Sequence, residues 1–287
     1  MSFVLSLIAQ PGALSAAHLT TFDAEGWRWL APGEAAEVSL DALPPSFDAQ
    51  RQALSDAGVD ANVVPAEGRR KALLIADMDS TMIHQECIDE MAAHAGIGEQ
   101  VAQITALAMD GKLEFEAAMA ERVALVKGLP VAALQTVFDE RITLMEGGAT
   151  LLATMGAHGT FRALVSGGFT FFTERVAQVL GFDEHRANVL LTEGGVLTGD
   201  VARPILGRDA KVTALEELTA RLGISETAAL AVGDGANDLG MLGRAGLGVA
   251  LHAKPSVQAQ CPVRVNHGDL TALLFLQGYA KSDFVTP

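Results

Sequence analysis

The sequence predicts an α/β protein: a doubly wound parallel sheet with an inserted helical cap, preceded by a small N-terminal α+β unit. Three observations predict it. Short, mainly apolar stretches recur at 72–76, 160–165, 228–232, 247–251 and 263–265, the first of them unbroken, and such stretches fit strands of a parallel sheet buried on both faces. Helical patterning fills most of the intervals between them. One interval, about 83–146, is far longer than a βα crossover needs and is helical nearly throughout, as a cap over the strand ends would be.

The bulk properties set limits. With 287 residues, 49% of them hydrophobic, the chain can bury a sizeable core as one large domain or two modest ones. The expected division is a unit at 1–70 and a larger one at 71–287. A net charge of -15 argues against binding nucleic acid or an anionic membrane, so any anionic substrate needs local cations that override the overall field. The two cysteines, Cys87 and Cys261, make neither a disulfide framework nor a zinc cluster, and suit a reducing cytoplasm. Met1–Ala17 is apolar, but no Lys or Arg precedes Arg28, so the positive region of a signal peptide is missing. No apolar run approaches the roughly 20 residues of a membrane span. A soluble cytoplasmic protein is expected.

In residues 1–70, strands are expected at 3–9, 36–40 and 62–64, with helices at 12–19 and 47–57. No polar constellation there suggests catalysis. The unit reads as a packing or dimerising module, with a regulatory small-molecule site as the alternative, and a homodimer is possible. Pro65–Arg70 serves as the linker.

The apolar run at 72–76 stops at Asp77-Met78-Asp79-Ser80-Thr81. In open α/β sheets ligands bind beyond the carboxyl ends of the strands, so two acids stand where chemistry is done. A capped helix start would use the same residues. A calcium loop is excluded, because Met82 and Ile88 occupy the places of its Gly and Glu. A carboxylate nucleophile beside a second acid that moves protons is the third reading, and the rest of the chain favours it.

Four cap helices are expected, at 83–95, 98–109, 114–127 and 131–144, each ended by Gly or Pro. Arg122 breaks the amphipathic rule. It follows Phe115 by seven residues, Ala118 by four and Met119 by three, on or beside the apolar face. A guanidinium there is costly unless it meets an anion; it snorkels, pairs with a cap acid, or clamps a substrate carboxylate. Glu86 is the cap acid nearest the first motif and alone reads as an ordinary surface Glu.

The strand at 160–165 is expected to end in Ser166-Gly167-Gly168, with a helix over 169–180. A hydroxyl and bare N–H groups at a helix start form an anion site or a plain capped turn. A hairpin follows, 188–192 with 196–201, turning at Gly194-Gly195. Lys211 lies in the first turn of a helix at 210–222, where the helix dipole disfavours cations; it is either solvated or held by a bound anion. The run at 228–232 ends in Gly233-Asp234-Gly235-Ala236-Asn237-Asp238. Its acids would repel a pyrophosphate, whereas two carboxylates and an Asn suit Mg²⁺.

These motifs, in this order, resemble the haloacid dehalogenase superfamily of phosphotransferases, and within it the phosphoserine phosphatases. The resemblance covers about 70–280, while the first 70 residues look like a divergent ACT-like extension. It implies roles that make physical sense. Asp77 would attack phosphorus and form an aspartyl-phosphate, its carboxylate also touching Mg²⁺. Asp79 would protonate the leaving oxygen and then deprotonate water, meeting the metal only through its backbone carbonyl. Asp234 would be the main side-chain ligand, and Asp238 would hold the metal's waters or orient Lys211. Ser166, Gly167, Lys211 and Asn237 would bind the phosphorylated substrate, Glu86 its ammonium and Arg122 its carboxylate, with Met109 and Phe115 as an apolar wall. The implied substrate is O-phospho-L-serine. Rivals are a phosphatase or phosphotransferase for another small phosphomonoester, and a phospho-accepting Asp switch.

Overall fold

The computed structural model describes residues 2–109 and 113–286, the side chains of 108 and 109 excepted. The N-terminal unit contains β1 (Phe3–Ala9), α1 (Ala16–Leu19), β2 (Arg28–Ala31), β3 (Ala35–Leu40), α2 (Phe47–Asp56) and β4 (Val59–Pro65). Its four strands form one antiparallel sheet in the order β2-β3-β1-β4. Sequence patterning missed β2, a short edge strand whose Arg28 and Trp29 are exposed, and which turns back at Gly33 with a left-handed φ of 78°. Alternation along β1 sets both faces of this sheet. Leu5 and Leu7 pack with Phe47 and Leu54 of α2, while Val4 and Ile8 join the core of the larger unit.

The larger unit begins with β5 (Leu73–Ala76). Four cap helices follow: α3 (Cys87–His94), α4 (Gly98–Met109), α5 (Phe115–Leu125) and α6 (Val131–Arg141). Next come α7 (Gly148–Ala157), β6 (Phe161–Phe169), α8 (Thr170–Leu180), β7 (Glu184–Asn188) and a two-stranded hairpin, β8 (Leu190–Glu193) with β9 (Val196–Val201). The chain ends through α9 (Arg208–Leu222), β10 (Ala229–Gly233), α10 (Leu239–Arg244), β11 (Leu247–Leu251), α11 (Pro255–Gln258), β12 (Val263–Val265) and α12 (Ala272–Leu276).

The main sheet is parallel throughout, in the order β12-β11-β10-β5-β6-β7. Leu73 and Ile75 of β5 face Leu215 and Leu218 of α9; Leu74 and Ala76 face the opposite layer, with Leu151, Phe172 and Leu274. Burial on both faces is why the run has no polar alternation. Each fully buried leucine here stabilises the fold by about 1.5–3 kcal/mol over its exposed state.

Four expectations are corrected. The sheet has six strands rather than five, because β7 reads Glu-His-Arg-Ala-Asn and only its last two residues are buried. The first cap helix starts at Cys87, not Ile83. Ile83 instead bridges Leu144, so the two connectors of the cap run antiparallel. Backbone bonds from His84 to Thr143 (3.1 Å) and from Met145 to Met82 (2.9 Å) hold them, and Gln85 and Thr143 exchange two more at 2.9 Å. The first hairpin arm begins at Leu190, since Asn188 belongs to β7. Finally, Ser166 to Gly168 lie within β6, at an irregularity between Val165 and Phe169, not beyond its end.

Candidate active site

From β5 the chain crosses to β6 on one side, and β10 lies on the other. This is the switch point where an open α/β sheet leaves a crevice. Asp77 stands there. Its N–H donates to the Val232 carbonyl at 3.0 Å, extending the pairing of β5 with β10 beyond the strand. Its Oδ1 accepts from the Met78 N–H at 2.8 Å, and its Oδ2 lies 2.7 Å from Lys211 Nζ.

Lys211 is 1% exposed and also reaches Asp238 Oδ1 at 2.6 Å. Burial disfavours its charge, but Asp77 and Asp238 together outweigh burial and raise its pKa, so the ammonium persists. Asp238 Oδ2 accepts from the Gly235 N–H at 2.9 Å. Gly233 must lack a side chain, since a Cβ there would stand 2.3 Å from Asp238 Cγ. Burial, then the charge of Asp77, pushes Asp238 up to about 7. Asp234 is pushed up to about 6 by burial, then by Asp77 and Glu86. Asp77, Asp234 and Asp238 each bring a carboxylate oxygen within 4.8 Å of the others. Three hard oxygen donors crowded together are the donor set a divalent cation fits.

Asp79 faces the same crevice from the loop after β5. Its Oδ1 accepts from the Cys87 N–H at 3.1 Å, at the start of α3. A Cβ on Gly168 would stand 2.6 Å from Asp79 Oδ2, so only glycine lets β6 approach the acid this closely. Burial first, then the charge of Glu86, pushes Asp79 up to about 8, and at neutral pH it holds a proton. Ser80 takes a left-handed φ of 55°, a conformation that costs a non-glycine residue about 1 kcal/mol and aims its hydroxyl at Glu86 Oε1, 3.0 Å away. Ser166 is buried, and its Oγ accepts from the Gly168 N–H at 2.8 Å. Asn237 packs beside Gly235 in the same loop as Asp234.

From the cap, Phe115 begins α5 and lays its ring over two loops of the core. A Cβ on Gly167 or on Gly207 would each meet that ring at 3.3 Å. Arg122 is half-buried on the same helix. Its Nε donates to the Ala118 carbonyl at 3.2 Å, and it lies in the field of Asp89, Glu86 and Asp79. Met109 ends α4, and its side chain lies outside the described residues.

The family model of the haloacid dehalogenase-like hydrolases matches residues 74–243. This chain belongs to that family. Over 71% of its length the hydrolase is 47% identical to a phosphoserine phosphatase of a Polaromonas species, covering 89% of that protein. Its fold is similar to the crystal structure of a hydrolase of the same family from Salmonella enterica serovar Typhi, with a TM-score of 0.86, 32% identity, and 96% and 98% of the two chains covered. It is also similar to a phospho-aspartyl intermediate analogue of a phosphoserine phosphatase, with a TM-score of 0.67, 39% identity, and 72% and 98% covered.

The hydrolase brings Asp77, Asp79, Ser166, Lys211, Asp234 and Asp238 to one crevice, with Glu86, Phe115 and Arg122 above it. Sequence reasoning missed Asn188, the last residue of β7. Its amide donates to the Gly167 carbonyl at 2.8 Å and accepts from the Leu206 N–H at 2.7 Å. It thereby ties the Ser166-Gly167 segment to the loop that leads into α9 and Lys211. A small amide buried to 2% exposure in an otherwise polar strand was its only signal.

Proposed function

We propose that this hydrolase is a Mg²⁺-dependent phosphoserine phosphatase, cleaving O-phospho-L-serine to serine and inorganic phosphate through a phosphorylated Asp77. The observation that carries this reading is the convergence of a nucleophile, a protonated acid and a buried cation. Asp77 Oδ2 is 2.7 Å from the Lys211 ammonium, and Asp79, whose affinity for a proton is raised by burial, stands two residues away. Asp77 Oδ1 and Oδ2 are anchored on opposite sides, which fixes the carboxylate for in-line attack.

Asp77 attacks phosphorus while Asp79 gives its proton to the leaving serine oxygen, so no alkoxide has to form. Asp79, then a carboxylate, takes a proton from the water that attacks the aspartyl-phosphate, and Asp77 is restored. Lys211, the Ser166 hydroxyl and the Gly167 N–H hold the phosphoryl oxygens, and Asn237 borders them. Asp77, Asp234 and the Asp79 carbonyl would hold Mg²⁺, with Asp238 behind them orienting Lys211; the ion supplies charge to spread over the phosphoryl oxygens. The polarity of the cap suits a zwitterionic substrate: Glu86 for the ammonium, Arg122 for the carboxylate. Phe115 over Gly167 and Gly207 helps exclude water, as Met109 would. Two free, buried thiols, Cys87 and Cys261, fit a cytoplasmic setting. Among the described residues no helix is long and apolar enough to cross a membrane.

The test is phosphate release across O-phospho-L-serine, O-phospho-L-threonine, a sugar phosphate and p-nitrophenyl phosphate, with Mg²⁺ and then with EDTA. Phosphoserine should be turned over fastest, and EDTA should abolish all activity. A sugar phosphate hydrolysed as fast as phosphoserine would overturn the substrate assignment. Arg122→Ala should raise KM for phosphoserine by about 10²-fold, the worth of a charge-assisted pair, and leave p-nitrophenyl phosphate nearly unchanged. An unchanged preference between these two substrates would remove Arg122 from the carboxylate.

A further inference from the structure

Where the N-terminal unit meets the core, α2 and the β12 side of the core flank a partly open cavity of about 280 Å³. It is lined by Arg51, Gln52 and Ser55 from α2 and by Gln258, Arg264 and Asn266 from the core. β12 is the outer strand of the main sheet, three places from β5, so this cavity is separate from the crevice at Asp77.

Its charges are unusual for this boundary. Elsewhere along the boundary cations meet acids: Arg69 reaches Glu37 at 2.8 Å, and Lys281 pairs with Glu34. Arg51 and Arg264 do not. Among the described residues neither guanidinium has a carboxylate within ion-pair distance. Arg51 donates to the Pro262 carbonyl at 2.8 Å and to Asn62 Oδ1 at 2.9 Å, leaving its Nε unbonded. Arg264 donates only through Nε, to the Cys261 carbonyl at 3.0 Å, and both its terminal nitrogens lack a protein acceptor.

Two acids, Asp48 and Asp60, also line the cavity and act on Arg51 through space, but neither bridges a guanidinium. Both oxygens of Asp60 are taken by backbone N–H groups, of Asn266 at 2.9 Å, His267 at 2.9 Å and Gly268 at 3.0 Å. Asp48 is exposed at the rim, one turn before Arg51 on α2. Burial, then the charge of Arg264, lowers Arg51 to about 10 even against the opposing fields of Asp60 and Asp48, so each guanidinium opposes the other. Two planar forks with free N–H groups, in a cavity with a hydroxyl and side-chain amides on its walls, are built to grip an anion with several oxygens. The volume of about 280 Å³ suits a small molecule.

We propose that this cavity binds a small oxyanion, carrying a carboxylate or phosphate group, between Arg51 and Arg264, and that binding fastens the N-terminal unit to the core. The proposal is independent of the substrate assigned above.

The test uses the full chain in EDTA, with malonate and inorganic phosphate as probes and chloride at equal ionic strength as the reference. Thermal melting of the wild type should rise saturably with at least one probe, as mass action requires of a ligand that binds only the folded state. A response to malonate alone marks a carboxylate site; a response to phosphate alone marks a phosphate site. Arg264→Gln should weaken that binding by about tenfold or more while leaving phosphate release from the substrate, assayed separately with Mg²⁺, unchanged. In chloride Arg264→Gln should melt no lower than the wild type, because it removes a like-charge neighbour. Gln52→Glu, which puts a carboxylate on the cavity wall in place of an amide that bonds Asp56 and touches neither arginine, should abolish the probe effect whatever it does to the melting point in chloride. The proposal is overturned if neither probe acts at tens of millimolar, or if the shift is the same in Arg264→Gln. An Arg264→Gln chain that fails to fold or melts well below the wild type in chloride would make Arg264 a structural residue and overturn it equally.

Discussion

Asp77→Asn is expected to lower phosphate release by at least about 10⁴-fold, because it removes the attacking oxygen while keeping the shape of the side chain. The amide is too weak a nucleophile to take up phosphorus. Stability should change little by comparison, since Lys211 keeps its second partner, Asp238, at 2.6 Å. Two measurements separate these effects. Acid quenching during turnover of labelled phosphoserine should trap phosphate on the wild-type chain and none on the variant, and a thermal melt should show the variant folded. Turnover within about tenfold of the wild type would move the nucleophile elsewhere.

Lys211→Met should damage both stability and activity. The side chain it replaces is 1% exposed and separates two carboxylates, at 2.7 Å and 2.6 Å. Without the ammonium, Asp77 and Asp238 face one another in a site that cannot solvate them. Breaking a buried ion pair from one side costs roughly 3–5 kcal/mol, which for a chain of this size lowers the melting temperature by roughly 10 °C. Loss of the phosphoryl contact should reduce turnover by about 10²–10³-fold, the range seen when one stabilising donor is removed. The double variant Lys211→Met with Asp238→Asn is the control. It removes one of the opposed charges and should recover much of the stability but none of the activity. A single variant as stable as the wild type would mean that the acids are neutral without the lysine.

Much of this was legible in the sequence because it is local. Asp77, Asp79, Asp234 and Asp238 each sit within a few residues of the end of an apolar run, and the run itself announces the strand. Lys211 was legible as an anomaly, a cation where a helix dipole opposes it, and its two carboxylate partners account for it. Arg122 was legible in the same way. What escaped has its cause in contacts distant along the chain. β7 carries no apolar run, because as the outer strand it is covered by little and only Ala187 and Asn188 are buried. Asn188 matters through Gly167 and Leu206, neither near it in sequence. α7 lacks a polar face, having five buried positions along ten residues, so periodicity could not separate it from the strand that follows. The arginines of the inter-unit cavity lie more than 200 residues apart, and no local pattern joins them.

The paired connectors of the cap have a wider consequence. Ile83 and Leu144 pair as an antiparallel bridge that Gln85 and Thr143 lock, so the chain enters and leaves the four-helix insertion through one ribbon, and the insertion is tied a second time where Pro130 bridges Val196 of the hairpin. Tied at both places, the insertion is braced over the crevice. The arrangement also makes the insertion modular. Its interior can be rewritten or lengthened while the ribbon and the hairpin contact keep the doorway aligned with the machinery beneath, so one chemical engine can come to serve differently shaped customers.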